Sequence, residues 1–217
     1  MMQVDVIADV TCPWCFIGLK RFMQSLALRP EYPVDLVWRP FLLNPELREG
    51  TIDRMRYLER VFGSKTRIKQ FYEAIGEAGK TVGIAFDIEY AELTPSSINA
   101  HSLILFAGRY GLAIEMAEAV YMAHFVDALD IGDRNVLVGL AEQLSLDTEQ
   151  VLSVLENEIR HDVIIDENAR IHRLGINGVP SFIFAGKNII SGAQEPETLL
   201  HMIDLMATLN RNINETE

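Results

Sequence analysis

The N-terminal part of the chain, residues 1–45, contains two alternating segments with a helical segment between them. Residues 3–8 alternate as in a β-strand. Apolar residues then recur at helical spacing over residues 16–26, and residues 34–39 alternate again before a proline. The pattern therefore predicts a strand, a helix and a second strand.

Residues 46–159 predict a block of helices. Glycines punctuate this region, and no strand alternation interrupts it. Ile114, Tyr121 and other apolar residues form a helical stripe, and Asp133 and Asp147 are placed to cap the two helices that follow. We expect these helices to form a small bundle.

The C-terminal part, residues 160–217, returns to an α/β pattern. A helix is expected to end at Gly175, because glycine is the usual residue just beyond a helix end. A short hairpin is predicted around a turn at residues 186–188, and a last helix follows. The chain thus predicts an α/β fold in which an all-helical domain, residues 46–159, is inserted into one sheet domain.

Composition and charge narrow the class of protein. Of the 217 residues, 49% are hydrophobic and 23% are charged, which excludes intrinsic disorder and collagen-like repeats. The net charge of −12 opposes binding to nucleic acid or anionic lipid. The N-terminus lacks a basic region before its apolar residues, and no run of about 18 apolar residues exists. A cytoplasmic protein without a membrane span is therefore expected.

Two cysteines carry most of the chemical information. Cys12 and Cys15 lie where the first predicted strand meets the first predicted helix, with Pro13 and Trp14 between them. At a helix N-terminus, free backbone N–H groups and the helix dipole favour a thiolate and lower a cysteine's pKa from about 8.5 to roughly 3.5–7.5. Cys12 is therefore the expected nucleophile, and Cys15, directed inward, is expected to resolve a mixed disulfide.

A zinc site and a pair of inert thiols both fit the cysteines less well. A zinc site would need two further ligands, yet the chain has no other cysteine and its five histidines include no close pair. Two inert buried thiols would not account for this spacing at a strand-to-helix junction. No metal site is expected.

A proline far along the chain supports the redox interpretation. Pro180 stands at the head of a predicted strand, where it would break an internal ladder unless it had a special role. A cis Val179–Pro180 bond is expected. Facing the cysteines, it would leave the Val179 backbone free to pair with an extended substrate segment.

Several segments together resemble one known family. They are residues 9–18 (DVTCPWCFIG), 41–45 (FLLNP), 100–101 (AH), 175–182 (GINGVPSF) and 191–194 (SGAQ). In combination, and over almost the whole chain, they resemble the FrnE-like branch of the DsbA family. The resemblance implies a thioredoxin-like fold, residues 1–45 and 160–217, interrupted by the helical insertion. It also implies thiol-disulfide oxidoreductase activity, with Cys12 as nucleophile, Cys15 as resolving thiol and Pro180 as cis-proline.

The resemblance brings alternatives with it. The same superfamily includes 2-hydroxychromene-2-carboxylate isomerases and kappa-class glutathione transferases, which generally carry serine where Cys12 stands. A glutathione-dependent isomerase or transferase of small aromatic compounds is one alternative, and a non-catalytic peptide-binding or chaperone module is another. The expected partners are protein or small-molecule thiols and disulfides. No bound cofactor is expected, glutathione is a candidate co-substrate, and homodimers occur among the relatives.

Several polar residues have either a functional or a purely structural role. The family pattern singles out His101, which would either line a groove or be satisfied in a helix interface. Asp9 would either relay a proton or bond backbone N–H groups in its loop. Trp14 would either contact a peptide or pack against the bundle. Six basic residues are best interpreted as a solvated helix face. They are Arg54, Arg56, Arg60, Lys65, Arg67 and Lys69.

Overall fold

The computed structural model describes residues 2–87 and 93–214, so the part of the predicted helical block at residues 88–92 lies outside the described residues. The elements follow in the order β1 (Met2–Ala8), α1 (Pro13–Ala27), β2 (Val34–Pro40), β3 (Thr51–Asp53), α2 (Arg54–Phe62), α3 (Lys65–Thr81), β4 (Leu93–Pro95), α4 (Ile98–Ala107), a 3-10 turn (Gly108–Tyr110), α5 (Ala113–Phe125), α6 (Arg134–Gln143), α7 (Thr148–Leu155), α8 (Glu158–Arg173), β5 (Ser181–Phe184), β6 (Asn188–Ser191) and α9 (Pro196–Asn214).

Four strands form the central sheet in the order β2-β1-β5-β6. β1 pairs with β2 in parallel and with β5 antiparallel, and β5 and β6 form the predicted hairpin. Ile7, near the end of β1, lies opposite Ser181, the first residue of β5. β1 therefore ends, before the cysteines, at the same end of the sheet at which β5 begins after Pro180.

Helices cover both faces of this sheet. Val6 of β1 is paired with Phe182 of β5, and the Phe182 ring stacks on Phe22 of α1 with centroids 4.7 Å apart. α1 also packs against α9. Successive strand residues point to opposite faces, so Ile7 and Ile183 belong to a second cluster with α8. This packing fixes the N-terminus of α1 beside the C-terminal end of the buried strand β1.

The helical insertion contains one feature that the sequence pattern did not predict. β3 and β4 pair antiparallel, with Thr51 opposite Pro95, so the expectation of a region without strands is wrong at these residues. Each strand has three residues, too few for alternation to be detected, and its partner is distant in sequence. The domain boundaries stay a prediction, and α8 runs across the one placed after residue 159.

The predicted helix ends agree with the structure. The Asp133 side chain accepts a hydrogen bond from the Asn135 backbone N–H, and Asp147 accepts one from Gln150. Gly175 follows α8 with φ +83°, a left-handed conformation that glycine adopts without a Cβ penalty. The N-cap predictions for Asp133 and Asp147 and the helix end at Gly175 are confirmed.

Candidate functional site

Cys12 is the N-cap residue of α1, and Pro13 occupies its first turn. The Cys12 N–H donates to the Asp9 carbonyl at 3.1 Å, and the Cys12 carbonyl accepts the Cys15 N–H at 3.0 Å. Within the described residues, no side chain caps this helix end. The backbone N–H groups of the first turn and the positive end of the helix dipole therefore lie next to the Cys12 side chain.

The two thiols are free, adjacent and enclosed. Cys12 is 6% exposed and Cys15 is 1% exposed, so the first sulfur is nearer to solvent, although more enclosed than a nucleophile at an open helix end. The two side chains lie close enough to interact with each other. Burial raises the pKa of Cys15 well above its usual value, and the Cys12 thiol and the Asp9 carboxylate raise it further. Cys15 is therefore the sulfur that keeps its proton in the resting dithiol.

Asp9 is a buried carboxylate just before the cysteines. Its Oδ1 accepts the Thr11 N–H at 3.0 Å, and its Oδ2 accepts the Leu43 N–H at 2.7 Å. Burial opposes ionisation, but the His101 imidazole and these hydrogen bonds outweigh burial, so the pKa of Asp9 is lowered. Of the two roles left open for Asp9, the structure shows bonds to backbone N–H groups, one of them from the segment after β2, and a proton relay stays a prediction.

His101 does not line an open groove, because its side chain is fully buried. Its Nδ1 accepts the indole N–H of Trp38 at 3.1 Å, so a neutral ring carries its proton on Nε2. That Nε2 lies 3.7 Å from Asp9 Oδ1 and has no hydrogen-bond partner among the described residues. Trp38 therefore orients His101 toward the carboxylate, in line with the interface role expected for this histidine.

Pro180 packs directly beneath the cysteine helix. The Val179–Pro180 peptide bond is cis. A Cβ added at Gly18, one turn after Cys15, would lie 2.7 Å from Pro180 Cγ, so only glycine allows this approach. The Pro180 carbonyl accepts the Gly192 N–H at 2.7 Å. The structure thus places the predicted proline against the helix that carries the predicted cysteines, at Gly18.

The motif residues beside the thiols are partly enclosed. Pro13 is buried, whereas Trp14 and Val179 are half-buried and pack against the main core. The structure places Trp14 between its two expected roles, since one part of the ring packs and another part is accessible. Arg21 holds the Ser-Gly-Ala-Gln segment to α1, because its Nη1 donates to the Ala193 carbonyl at 2.7 Å.

Two tyrosines of the helical insertion reach the cysteines, and neither was predicted from the sequence as a site residue. The Tyr121 hydroxyl of α5 donates to the Asp9 carbonyl at 3.1 Å and lies close to Cys15. Tyr57 of α2 is half-buried, and its pKa is raised by burial and by nearby Asp9 and Cys12. Tyr121 was visible in the sequence only as one member of an apolar helical stripe, and nothing marked Tyr57.

The basic residues of α2 and α3 are exposed, as expected for a solvated helix face, with one exception. Arg54 is only 5% exposed, and its Nε lies 3.4 Å from the Tyr72 hydroxyl. Arg54 lies near His124, which is 3% exposed. Burial, followed by the Arg54 charge, lowers the pKa of His124 to about 4, so this histidine is neutral at pH 7. The solvated-face interpretation is therefore wrong for Arg54.

Residues 2–87 and 93–214 contain no cluster of three or more His, Cys, Asp or Glu side chains suited to a metal ion. Over the same ranges, no helix combines the length and the apolar character needed to cross a membrane.

The model of the DSBA-like thioredoxin domain matches residues 3–204, which is nearly the whole chain. This chain belongs to the DSBA-like thioredoxin domain family. The probable DsbA oxidoreductase SCO1869 from Streptomyces coelicolor superimposes with a TM-score of 0.87 at 27% identity, over 96% of this chain and 91% of that one. The predicted family and the thioredoxin-like fold with a helical insertion are confirmed.

Two further solved structures share the fold of this DSBA-like chain. A 2-hydroxychromene-2-carboxylate isomerase has a TM-score of 0.69 at 13% identity, with 99% of each chain covered. The cytosolic disulfide reductase DsbM from Pseudomonas aeruginosa, solved with GSH, has a TM-score of 0.65 at 18% identity, with 98% of this chain and 99% of that one covered. At these identities the likeness concerns the fold alone.

The site of this DSBA-like domain has the parts that thiol-disulfide exchange requires. One sulfur lies at a helix N-terminus, a second protonated sulfur lies beside it, and Pro180 packs on the same helix at Gly18. The ionised Asp9 carboxylate accepts the backbone N–H groups of Thr11 and Leu43 and so holds the loop before the cysteines.

Proposed function

We propose that this chain is a thiol-disulfide oxidoreductase that uses Cys12 and Cys15 as a dithiol/disulfide couple. Cys12 is the nucleophile, because its sulfur is the more accessible one and lies at the uncapped N-terminus of α1. Cys15 is the resolving thiol, because it is buried, protonated at rest and beside Cys12. The contact between these two free thiols is the observation that carries the proposal.

Reduction of a substrate disulfide takes two steps. The Cys12 thiolate attacks one substrate sulfur, a mixed disulfide forms, and the first substrate thiolate leaves and takes up a proton. Cys15 then loses its proton and attacks the Cys12 sulfur, so the second substrate thiolate leaves and takes up a proton. Two electrons pass from the protein to the substrate, and the reverse sequence oxidises a substrate dithiol.

The loop that contains Pro180 is proposed to hold the substrate beside Cys12. Pro180 packs on α1 at Gly18, Val179 precedes it and is half-buried, and Trp14 of the same helix is half-buried as well. An extended substrate segment is expected to pair with the Val179 backbone, and the accessible part of Trp14 offers it an apolar contact. Proteins and small molecules with a disulfide are both candidate substrates.

The two single cysteine variants test this proposal. Cys12→Ser is expected to abolish the reduction of insulin and of glutathione disulfide, because the attacking sulfur is lost. Cys15→Ser is expected to retain the first step and to accumulate a mixed disulfide at Cys12, which intact-protein mass spectrometry detects. Full activity of Cys12→Ser would exclude Cys12 as the nucleophile, and full turnover by Cys15→Ser would indicate monothiol chemistry.

Glutathione is the proposed co-substrate that returns the couple to its dithiol form. The solved DsbM structure with GSH supports this choice, since DsbM shares the fold of this chain. A glutathione-dependent isomerase or transferase would instead turn over small aromatic compounds independently of Cys15. Suppression of protein aggregation by a variant without either cysteine would favour the chaperone alternative.

The cytoplasm is the proposed compartment, and there a reduced resting state is expected for Cys12 and Cys15. Homodimers occur among the relatives, the oligomeric state of this chain is left open, and analytical ultracentrifugation of the reduced protein measures it.

A further inference from the structure

The helical insertion places a hydroxyl group on the buried sulfur of the thioredoxin-like part. Tyr121 of α5 is fully buried, and its ring stacks on Phe16 of α1 with centroids 5.0 Å apart and planes 11° apart. Its hydroxyl donates to the Asp9 carbonyl at 3.1 Å and lies close to the Cys15 thiol. The stacked ring thus fixes the hydroxyl next to both groups.

The surroundings of Tyr121 keep its proton in place. Burial, the two cysteines and the Asp9 carboxylate all raise the pKa of Tyr121 well above its usual value. The hydroxyl is therefore a hydrogen-bond donor throughout the pH range in which thiols exchange. It has two acceptors within reach, the Asp9 carbonyl and the Cys15 sulfur.

We propose that Tyr121 is a further catalytic residue, whose hydroxyl donates a hydrogen bond to the Cys15 sulfur as that sulfur ionises and attacks the mixed disulfide. This inference rests on the proposed function. In the resting dithiol the hydroxyl donates to the Asp9 carbonyl. When the Cys15 proton leaves for solvent, the hydroxyl turns to the new thiolate, the Cys12–Cys15 bond forms, and the substrate thiolate leaves and is protonated.

The electrostatics around Cys15 show why such a donor matters. The titratable groups around it are Cys12 on α1, Asp9 after β1 and Tyr121 on α5, with His101 of α4 behind Asp9. Burial and the Asp9 charge both oppose a thiolate at Cys15. Two groups are placed to donate a hydrogen bond to that thiolate, namely the backbone at Asp9 and the Tyr121 hydroxyl. Without it, the resolving step would start from a less stable anion.

The variant Tyr121→Phe isolates the hydroxyl, because phenylalanine keeps the ring that stacks on Phe16. The matched control is Tyr110→Phe, since Tyr110 is 52% exposed in the same insertion and its hydroxyl donates to Gln150 at 3.1 Å. Each protein is loaded with a chromogenic thiol as a mixed disulfide at Cys12. Release of that thiol is then followed by stopped-flow absorbance as a function of pH.

Tyr121→Phe is expected to resolve the mixed disulfide about tenfold more slowly than wild type at pH 7, the effect of losing one hydrogen bond to a charged group. Its pH profile is expected to move to higher pH, while Tyr110→Phe follows wild type. An unchanged rate and profile in Tyr121→Phe would overturn the inference. A slower rate without any shift of the profile would also overturn it, because a packing defect does not change the ionisation of Cys15.

The design separates this inference from the proposed function. If wild type releases no thiol from the mixed disulfide, the proposed function fails, whereas normal release by both wild type and Tyr121→Phe refutes only the role of Tyr121. Should Tyr121→Phe not fold, the tyrosines are replaced by 3-fluorotyrosine instead. The Tyr57→Phe background removes the other tyrosine near the cysteines, so that the effect is that of Tyr121. The fluorine makes the hydroxyl a stronger donor, so the profile is expected to move to lower pH, and an unmoved profile contradicts the inference.

Discussion

Replacing Asp9 by asparagine tests how the loop before the cysteines is held. The carboxylate is 1% exposed and accepts two backbone N–H groups, from Thr11 at 3.0 Å and from Leu43 at 2.7 Å. Asparagine has one acceptor oxygen, and its amide N–H₂ takes the place of the other oxygen. One of the two backbone N–H groups therefore faces a donor and loses its partner.

The size of the effect follows from that count. A hydrogen bond to a charged group contributes about 1.5–3 kcal/mol, and a buried donor without a partner costs about 1–3 kcal/mol. These two terms describe the same lost contact, so the expected loss in the free energy of unfolding is about 3 kcal/mol at pH 7. Because the folded-state pKa of Asp9 is lowered, this contribution is present above pH 3.8, the ordinary pKa of the group, and is lost as the pH falls through the folded-state pKa.

Urea unfolding measures this loss, with the fluorescence of buried Trp38 as one probe. The matched control is Asp133→Asn, an exposed N-cap at which asparagine caps as well as aspartate, so a change below about 0.5 kcal/mol is expected. Unfolding of Asp9→Asn and Asp133→Asn at the same urea concentration would refute this role of Asp9. A second readout is the thiol titration, in which Asp9→Asn should lower the pKa of Cys15, because the nearby negative charge is removed.

Two other substitutions test the ionisation of buried His124 and the packing of Gly18 against Pro180. His124 has a folded-state pKa of about 4 against an ordinary value of 6.5, so the stability it contributes is present above pH 6.5 and is lost as the pH falls toward 4, in total roughly 3 kcal/mol. The free energy of unfolding of His124→Gln should therefore fall less steeply than that of wild type between these pH values. The control, His201→Gln at an exposed position, should match wild type. Urea unfolding at each pH measures both. Gly18→Ala should destabilise the protein by about 1–3 kcal/mol and slow insulin reduction, because its Cβ would collide with the Pro180 ring at 2.7 Å. Gly76→Ala, in α3 with open space around it, should instead be neutral or stabilising by up to about 1 kcal/mol, and equal thermal stability of the two variants would contradict this role of Gly18.

The sequence predicted the fold where a pattern repeats over many residues or a residue has one physical use. Period-two alternation indicated β1 and β2, and the helix of Cys12 and Cys15 was marked by Pro13 in its first turn. Asp133 and Gly175 marked helix ends through their preferred conformations. By contrast, β3 and β4 are stabilised by a partner that is far away in sequence, so local patterns could not reveal them.

The candidate site was predictable only in part. The positions of Cys12 and Cys15 follow from local order along the chain, and Pro180 was singled out because a proline at the head of a predicted strand suggested a special role once the two cysteines were present. Tyr121 was assigned to an apolar stripe, because hydroxyl placement depends on how α5 packs against α1, which is a tertiary property. The buried Asp9–His101 pair likewise requires β1 and α4 to meet.

The most direct test of the central claim is a redox titration of the wild-type protein in glutathione buffers, with alkylation of free thiols and intact-mass analysis at each ratio. We predict that Cys12 and Cys15 change together, in one two-electron transition between a doubly alkylated dithiol and an unalkylated disulfide. A protein that stays doubly alkylated at every ratio, or that carries only glutathione adducts, would contradict the claim that these two sulfurs form the working couple.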